Sequence, residues 1–545
     1  MTPRRAARRC CLLVAAAWAP FTWAQEVAAP LPGFAELEAA GARIGEIRIR
    51  SRDIFDTTDP KEDQLLFRWA NALHIPTRPT VIENALLFKR GDPVSVTLID
   101  ETERVLRSSR YLYDVDIRPV AVADGVVDIE VDTRDTWSLD PGFSLSRSGG
   151  SNSSGLQLKE YNLLGSGIAL SVGRSRNVDR SSTEFQITDE RAFGGWTSLS
   201  YTLARNSDGR RDGFSVAQPF YALDARWAAG VSGLRDSRLD AVYSAGEVVA
   251  QYRHNERRAE LFGGWSTGRV DGWVRRYSLG VNLQDDAYAI EPGVAAPARL
   301  PADEKLAGPF VRYEHLEDRF EKLENRNLIA RPEYFALGLQ ASVQLGWSST
   351  AWGASRNALL YRAAASRGYE PAAGQTLVAA TSLEGQYSEG HVRRQRVGLE
   401  GQYYVPQGPH WLFYARASGD ALTRPEPEDT LLLGGDNGLR GYPLRYQGGN
   451  RRLLLTLEER AFSNLYLLRL FRIGAAAFVD VGRAWGGDNL NAAAPGWLAN
   501  AGLGLRIASV RSAFGNVLHV DLAAPVNPPA GIKGLQFGVK SRTSF

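Results

Sequence analysis

The sequence predicts a mostly β protein in which one small α+β domain precedes a large antiparallel β-barrel that spans a membrane. Helix and strand patterns are mixed over residues 41–136, and the helical pattern ends there. Over residues 137–545, apolar residues alternate with polar or small ones in segments of about ten residues, as in barrel strands. No run of roughly 18 apolar residues follows the N-terminal segment, which excludes a membrane protein built from helices.

Residues 1–24 have the pattern of a secretory signal peptide. Four arginines precede the apolar segment 10–21, and the small residues after it predict cleavage behind Ala24. The apolar segment is too short to span a bilayer as a helix, which needs roughly 20 residues. We assign residues 25–40 to a linker.

The composition excludes several classes of function. The two cysteines, Cys10 and Cys11, lie in the signal peptide, so we expect neither a disulfide nor a thiolate metal site in the mature chain. Once the four signal arginines are removed, 60 basic residues face 61 acidic ones. This balance gives no basis for nucleic-acid binding.

We also expect no enzyme, no cofactor and no metal. Residues 264–268 match the G-x-S-x-G pattern, but a nucleophilic serine of that kind needs a turn between a strand and a helix, and this segment alternates as a strand. The six histidines are scattered without zinc-like spacing. A Ser/His lipase site on the barrel stays open as a minor alternative.

The small domain is predicted to have the order β-α-α-β-β. A strand covers 44–49, and Asp59 with Pro60 and Glu62 predicts the start of the first helix. The second helix covers 97–107, and two strands follow it, joined by a turn at Asp124. The apolar face of the first helix consists of Leu65, Leu66, Trp69 and Leu73.

The barrel is predicted from strand-like segments such as 334–347, in which every second residue is apolar. One apolar and one polar face would also fit a soluble sandwich. The length of the pattern and the aromatics at segment ends favour a membrane barrel of about 16 strands, at roughly 25 residues for each strand with its loop. We expect residues 290–332, rich in proline and charge, to form a long extracellular loop.

A glycine-dense loop near the C-terminus identifies a family resemblance. Its motif consists of Gly434, Gly435, Gly438, Leu439, Arg440, Gly441 and Tyr442, and five strand-like segments follow it. This arrangement resembles the loop signature of the BamA/TamA superfamily of outer-membrane barrels, which have sixteen strands. The resemblance implies that the loop folds into the lumen and that Arg440 pairs with Asp480, with Glu458 close by. In a wet lumen such a pair is worth only about 1 kcal/mol. The glycines permit positive φ and close passage along the wall.

Two further regions carry the resemblance. Gly91, Asp92 and Pro93, followed by residues 101–117, resemble a POTRA domain, so residues 41–136 are expected to form one POTRA-like periplasmic domain. The C-terminal strand alternates and ends on an aromatic, as the recognition strand of such barrels does. Its signal residues are Leu535, Phe537, Val539 and Phe545.

The resemblance implies an outer-membrane assembly or translocation factor that inserts or exports client proteins without nucleotide. Its expected partners are outer-membrane lipid, unfolded clients in the periplasm and accessory assembly proteins, and nucleic acid is not expected. Two alternatives stay open. One is a two-partner secretion transporter for one cognate exoprotein, and the other is a channel that no longer exports protein.

Overall fold

The computed structural model describes residues 31–148, 151–487, 496–509, 517–526, 528, 531–532 and 534–542. The predicted signal peptide and Phe545 lie outside the described residues. None of the helices in these ranges is long and apolar enough to cross a membrane.

The N-terminal domain is a three-stranded sheet with helices packed on it. Its elements are α1 (Phe34–Ala39), β1 (Arg43–Arg52), α2 (Leu65–Leu73), α3 (Pro79–Glu83), α4 (Val96–Ser108), β2 (Leu112–Ala123) and β3 (Val126–Asp135). The sheet order is β1-β3-β2, with β1 parallel and β2 antiparallel to β3. The core combines the inner face of the sheet with α3, α4 and Leu37 of α1. The segment predicted as a linker therefore contributes a helix, because Leu37 is buried in that core.

The first predicted helix begins later than expected. Asp59 does not cap a helix; its side chain accepts from the N–H of Lys61 at 2.8 Å within a turn. Glu62 is engaged elsewhere, since its carboxylate accepts from Arg134 at 2.6 Å and from the N–H of Asp56 at 2.8 Å. The helix α2 starts only at Leu65, and α3 follows it as a separate element.

The rest of the chain forms a closed barrel of twenty described strands. The wall strands are β4 (Leu139–Ser148), β5 (Ser151–Glu160), β6 (Ile168–Arg176), β7 (Ser181–Ala192), β8 (Thr197–Asn206), β9 (Gly209–Gln218), β10 (Trp227–Ser244), β11 (Glu247–Val270), β12 (Trp273–Ile290), β13 (Glu304–Glu317), β16 (Gln340–Ser348), β17 (Ala358–Tyr369), β18 (Thr376–Ser388), β19 (His391–Pro406), β20 (Trp411–Thr423), β23 (Arg451–Leu467), β24 (Phe471–Trp485), β25 (Leu498–Ser509), β26 (Val517–Val526) and β27 (Gln536–Arg542). Two small hairpins lie outside the wall: β14 (Phe320–Glu324) with β15 (Pro332–Ala336), and β21 (Leu431–Leu433) with β22 (Gln447–Gly449).

The predicted fold class is confirmed, but the predicted strand number is too low. Sequential strands pair antiparallel around the wall, and β27 is hydrogen-bonded to β4 to close it. Turns of only two residues join β8 to β9, β10 to β11 and β11 to β12. The chain therefore uses fewer residues per strand than a barrel with long loops, and twenty strands fit where about 16 were expected.

The prediction of one long loop over residues 290–332 is also partly wrong. Residues 304–317 form the wall strand β13, and only the residues on either side of it leave the wall. The alternation seen over 334–347 likewise divides between β15, outside the wall, and β16, within it. In β16 the side chains of Val343, Leu345 and Trp347 point outward and are 43–49% exposed, as a lipid-facing surface requires.

Two segments enter the barrel from opposite ends. We call the end where β4 begins the domain end, and the opposite end the far end. The lumen loop, residues 424–450, connects β20 to β23 at the far end and contains β21 and β22. The mouth hairpin, residues 318–339, connects β13 to β16 at the domain end and contains β14 and β15.

Candidate functional site

The motif of the lumen loop packs tightly against the barrel wall. Gly438 has a φ of +134°, a backbone conformation that residues other than glycine rarely adopt. Leu439 is fully buried, and the hydroxyl of Tyr442 donates to the carbonyl of Ala499 on β25 at 3.1 Å. A Cβ on Gly441 would lie 2.7 Å from the Cβ of Asn500, so only glycine allows this approach.

The other two motif glycines serve a different purpose from the one expected. Gly434 and Gly435 lack the positive φ that we predicted. A Cβ on Gly434 would lie 2.4 Å from the carbonyl oxygen of Pro443, and the N–H of Gly435 donates to that same oxygen at 2.9 Å. These two glycines therefore let the outgoing and returning halves of the loop pass close together.

Arg440 projects from the loop onto the inner face of β23 and β24. Its Nε and one terminal nitrogen donate to the two oxygens of Asp480, both at 2.8 Å. The other terminal nitrogen donates to Glu458 at 2.9 Å. The guanidinium carbon also lies 3.3 Å from the ring centre of Phe478, which adds a cation–π contact. The structure thus brings together the three charged residues that the sequence singled out.

Asp480 is held ready for this arginine by neighbouring strands. Thr456 of β23 and Asn500 of β25 lie beside it in register. The Thr456 hydroxyl donates to one carboxylate oxygen at 2.9 Å, and the Asn500 amide donates to the other at 2.8 Å. With the two bonds from Arg440, each oxygen accepts two hydrogen bonds, which a fully buried carboxylate requires.

Glu458 extends the network to two further arginines and a third carboxylate. Its second oxygen accepts from Arg460 at 3.0 Å. Asp521 of β26 lies 3.9 Å from Arg440 and accepts from Arg506 at 2.6 Å. Three guanidinium groups therefore face three carboxylates, and the formal charges cancel. Such pairing is the condition under which charges can be buried.

The burial of this network changes its expected energy. The side chains of Arg440 and Asp480 are 8% and 0% exposed, so the value of about 1 kcal/mol for a wet pair does not apply. Burial alone would lower the pKa of Arg440, but Asp480, Glu458 and Asp521 outweigh it and raise the net pKa. Breaking a buried pair by removing one partner costs roughly 3–5 kcal/mol. This range applies to Arg440.

A second arginine, Arg445, ties the loop to the opposite side of the lumen. It donates to both oxygens of Asp179 at 2.6 Å, in the turn between β6 and β7, and to the hydroxyl of Tyr243 on β10. Sequence analysis did not find this residue. No motif surrounds it, and its acidic partner lies 266 positions away.

The mouth hairpin enters the lumen at the domain end and reaches the same network. Ile329 is 2% exposed and packs with the inward side chains of Tyr404, Leu412 and Tyr414. Arg460 donates to the backbone carbonyl of Arg326 at 2.8 Å. The hairpin and the lumen loop are therefore joined through one carboxylate, Glu458, which accepts from Arg460 and from Arg440.

The predicted signal residues of the last strand face outward. Leu535 and Phe537 are 61% and 47% exposed, and Val539 is half-buried in β27. Lys540, which points to the other face, donates to the backbone carbonyl of Asp436 in the lumen loop at 3.2 Å. Phe545 lies outside the described residues.

The serine motif and one of the histidines lie in polar contacts of the barrel wall. Ser266 of the G-x-S-x-G segment lies in β11, is 1% exposed, and accepts from the N–H of Gly268 at 2.9 Å. His254, Glu256 and Asp286 come together on β11 and β12 in a group of the kind that can hold a metal. Arg238 already donates to Glu256 at 2.8 Å, and His254 pairs with Asp286 at 3.0 Å.

Comparison with known proteins agrees with this architecture. The model of the Omp85 superfamily domain matches residues 162–542, well over half of the chain. No curated protein sequence matches significantly.

Several solved structures have a similar shape at low sequence identity. BamA from Haemophilus ducreyi lacking POTRA domains 1–3 is 14% identical, with a TM-score of 0.41 over 91% of this chain and 85% of that one. CdiB from Acinetobacter baumannii is 14% identical, with a TM-score of 0.46 over 92% and 74%. CdiB from Escherichia coli is 13% identical, with a TM-score of 0.46 over 91% and 76%. The family match shows that the chain belongs to the Omp85 superfamily, outer-membrane barrels of Gram-negative bacteria that insert or translocate proteins.

Proposed function

We propose that this protein is an outer-membrane assembly or translocation factor that inserts or exports client proteins without nucleotide, cofactor or catalytic residue. The observation that carries the proposal is the buried network of Arg440, Asp480 and Glu458, which holds the lumen loop inside the barrel. Removing three charged side chains from water is unfavourable, and a loop that only occupied space in the lumen would not need them. The buried network therefore supports a role of the loop as a latch.

The N-terminal domain is proposed to lie in the periplasm and to receive clients there. Within the described residues β2 has one neighbour in the sheet, β3, which leaves its other edge unpaired by a strand. An unpaired edge can add an extended segment of another protein through backbone hydrogen bonds. Such binding depends little on client sequence, as an assembly factor with several clients requires.

The lumen loop and the mouth hairpin enter the barrel from opposite ends and occupy part of its lumen. Passage or insertion of a client therefore requires either displacement of these segments or opening of the wall between β4 and β27. With no nucleotide site proposed, the free energy for this change comes from the folding and binding of the client itself.

A second candidate function is an export pore for one secreted partner, and the mouth hairpin favours it. An insertase that works at the wall needs no seal across the lumen, whereas a pore needs a gate. The tip of the hairpin, at Ile329, packs against inward aromatic residues of β19 and β20 at the domain end, where such a gate would act. A channel that does not export protein is the third possibility.

Two measurements on the purified protein in lipid vesicles distinguish these functions. The first is the folding rate of a urea-unfolded eight-stranded outer-membrane barrel, used as a probe client, followed by heat-modifiable mobility. The second is planar-bilayer conductance of the wild type and of a variant in which residues 326–331 are replaced by glycine and serine.

Faster folding of the probe with a low conductance in both proteins supports an insertase. Large, stable conductance only in the hairpin variant supports an export pore. High conductance of the wild type, together with no effect on the probe, contradicts the proposal and leaves a passive channel.

A further inference from the structure

The helix α2 is attached to the N-terminal domain along one side only. The ring of Phe67 stacks on Phe55 with centroids 4.1 Å apart, and Phe67 is 1% exposed. Asn71, one turn later, exchanges hydrogen bonds of 2.8 and 3.1 Å with the backbone of Phe55. Neither Phe67 nor Asn71 belongs to the main core of the domain, so α2 lies outside that core as an attached element.

The opposite side of α2 is apolar and exposed. Leu65, Trp69 and Leu73 follow the spacing of one helix face, and Leu66 borders it. These four side chains, which the sequence identified as one apolar helix face, are 56–73% exposed. A contiguous apolar face of this kind marks a site of contact with something other than water.

The position of α2 indicates what it contacts. Leu470, in the turn between β23 and β24, packs against the cluster formed by Phe55 and Phe67, on the attached side of α2. This turn also exposes apolar side chains at the domain end of the barrel: Leu467 and Leu468 are 45% and 73% exposed. The helix α2 thus lies next to the rim of the barrel.

The outer wall of the barrel continues this apolar surface. A groove of about 890 Å³ is lined on the helix side by Leu66, Trp69 and Leu73. On the barrel side its apolar lining includes Phe471, Ile507 and Leu518, and polar residues of β5 and β7 also border it. Ile507 and Leu518 lie opposite each other on β25 and β26, and they alternate with inward-facing Arg506 and His519. Because the side chains of a strand alternate between faces, these two belong to the lipid-facing surface.

We propose that α2 lies in the membrane interface at the domain end, with its apolar face in the boundary between headgroups and acyl chains. Basic residues accompany the apolar surface by the turn, namely Arg469 and Arg472, whereas Arg68 on the helix pairs with Asp63 at 2.9 Å. Basic and apolar side chains together suit the anionic headgroups and the acyl boundary of a phospholipid bilayer. The lipid surface binds the helix and thereby fixes the N-terminal domain close to β24–β26.

The test uses the full mature chain in vesicles of phosphatidylethanolamine and phosphatidylglycerol. Because both cysteines lie in the predicted signal peptide, single-cysteine variants can be labelled with a fluorophore at one position. Trp69→Cys reports from the apolar face, and Arg68→Cys is the matched control one residue away. Each probe is quenched in turn by lipid-borne nitroxide and by aqueous iodide. Heat-modifiable mobility establishes that each variant is folded.

The proposal predicts several-fold stronger nitroxide quenching at Trp69→Cys than at Arg68→Cys, and the reverse order with iodide. In a Leu73→Cys probe, the double change Leu66→Gln and Trp69→Gln should abolish the nitroxide quenching. Strong iodide quenching at Trp69→Cys overturns the proposal, because the face is then in water. Protection of that probe from both quenchers also overturns it, because a protein segment then covers the face. Neither result depends on which clients the barrel handles.

Discussion

Replacing Arg440 with alanine removes the latch and leaves its partners buried. Asp480, which is 0% exposed, then keeps only the hydrogen bonds from Thr456 and Asn500. Glu458 keeps Arg460. An uncompensated buried charge costs roughly 3–5 kcal/mol, which shifts the equilibrium for release of the loop by roughly a hundred- to a thousand-fold or more.

The change Asp480→Ala should cost less, because Arg440 keeps Glu458 at 2.9 Å and Asp521 at 3.9 Å. The double variant removes both ends of the contact and leaves no orphaned member of the pair. Its loss of stability should therefore fall short of the sum of the single losses by roughly 1–3 kcal/mol.

The assay is equilibrium unfolding by urea in lipid vesicles, followed by tryptophan fluorescence, together with planar-bilayer conductance. The matched control is Arg416→Ala, since Arg416 pairs with Glu400 on the inner wall at 2.9 Å but is 46% exposed. That exposed pair should be worth about 1 kcal/mol or less. Equal losses for Arg440→Ala and Arg416→Ala, or additive losses for Arg440→Ala and Asp480→Ala, would refute the reasoning.

Three further predictions concern the neighbouring contacts. Glu458→Gln should lower the free energy of unfolding by roughly 1–3 kcal/mol and speed proteolysis of the mouth hairpin, because this one carboxylate holds both the lumen loop and the mouth hairpin. Unchanged cleavage would contradict this. Ile329→Asp should raise conductance, because a charge is unfavourable in that apolar contact and should displace the hairpin; a silent bilayer would argue against a gate formed by the hairpin. Burial would raise the pKa of Asp179, but Arg445 and Tyr243 outweigh it and lower the net pKa. The Arg445 contact therefore stabilises the fold fully above pH 3.8, the ordinary carboxyl pKa, and this stabilisation is lost as the pH falls through the lower pKa of the folded state. The free energy of unfolding of Arg445→Ala should consequently differ less from that of the wild type at the lowest pH.

The contact of Arg440 could be anticipated because a family resemblance supplied the pairing and local patterns are consistent with it. The loop motif marks the arginine, and strand alternation gives the direction of its partner. Val479 and Val481 are apolar neighbours of Asp480, so a strand that presents them to lipid must present Asp480 to the lumen. The same alternation places Glu458 inward. That Arg440 meets Asp480 was implied by the resemblance to the BamA/TamA superfamily, because no local pattern joins the loop to this strand.

The other lumen contacts depend on pairings that no local pattern contains. Arg445 meets Asp179 only because the barrel closes, and 266 positions separate them. The mouth hairpin escaped detection because its apolar residues alternate like those of a wall strand, so β15 and β16 looked continuous. The start of α2 was misplaced because Glu62, a favourable residue for a helix start, pairs with Arg134 across the domain.

The central claim is that this barrel handles client proteins and that Arg440 latches its lumen loop. The most direct test is quantitative proteomics of the outer membrane after depletion of the protein, with rescue by wild type, Arg440→Ala or Arg416→Ala. The account predicts that a set of outer-membrane or secreted proteins is lost on depletion. Wild type and Arg416→Ala should restore this set, and Arg440→Ala should not. An unchanged proteome after depletion, or full rescue by Arg440→Ala at equal abundance, would contradict it.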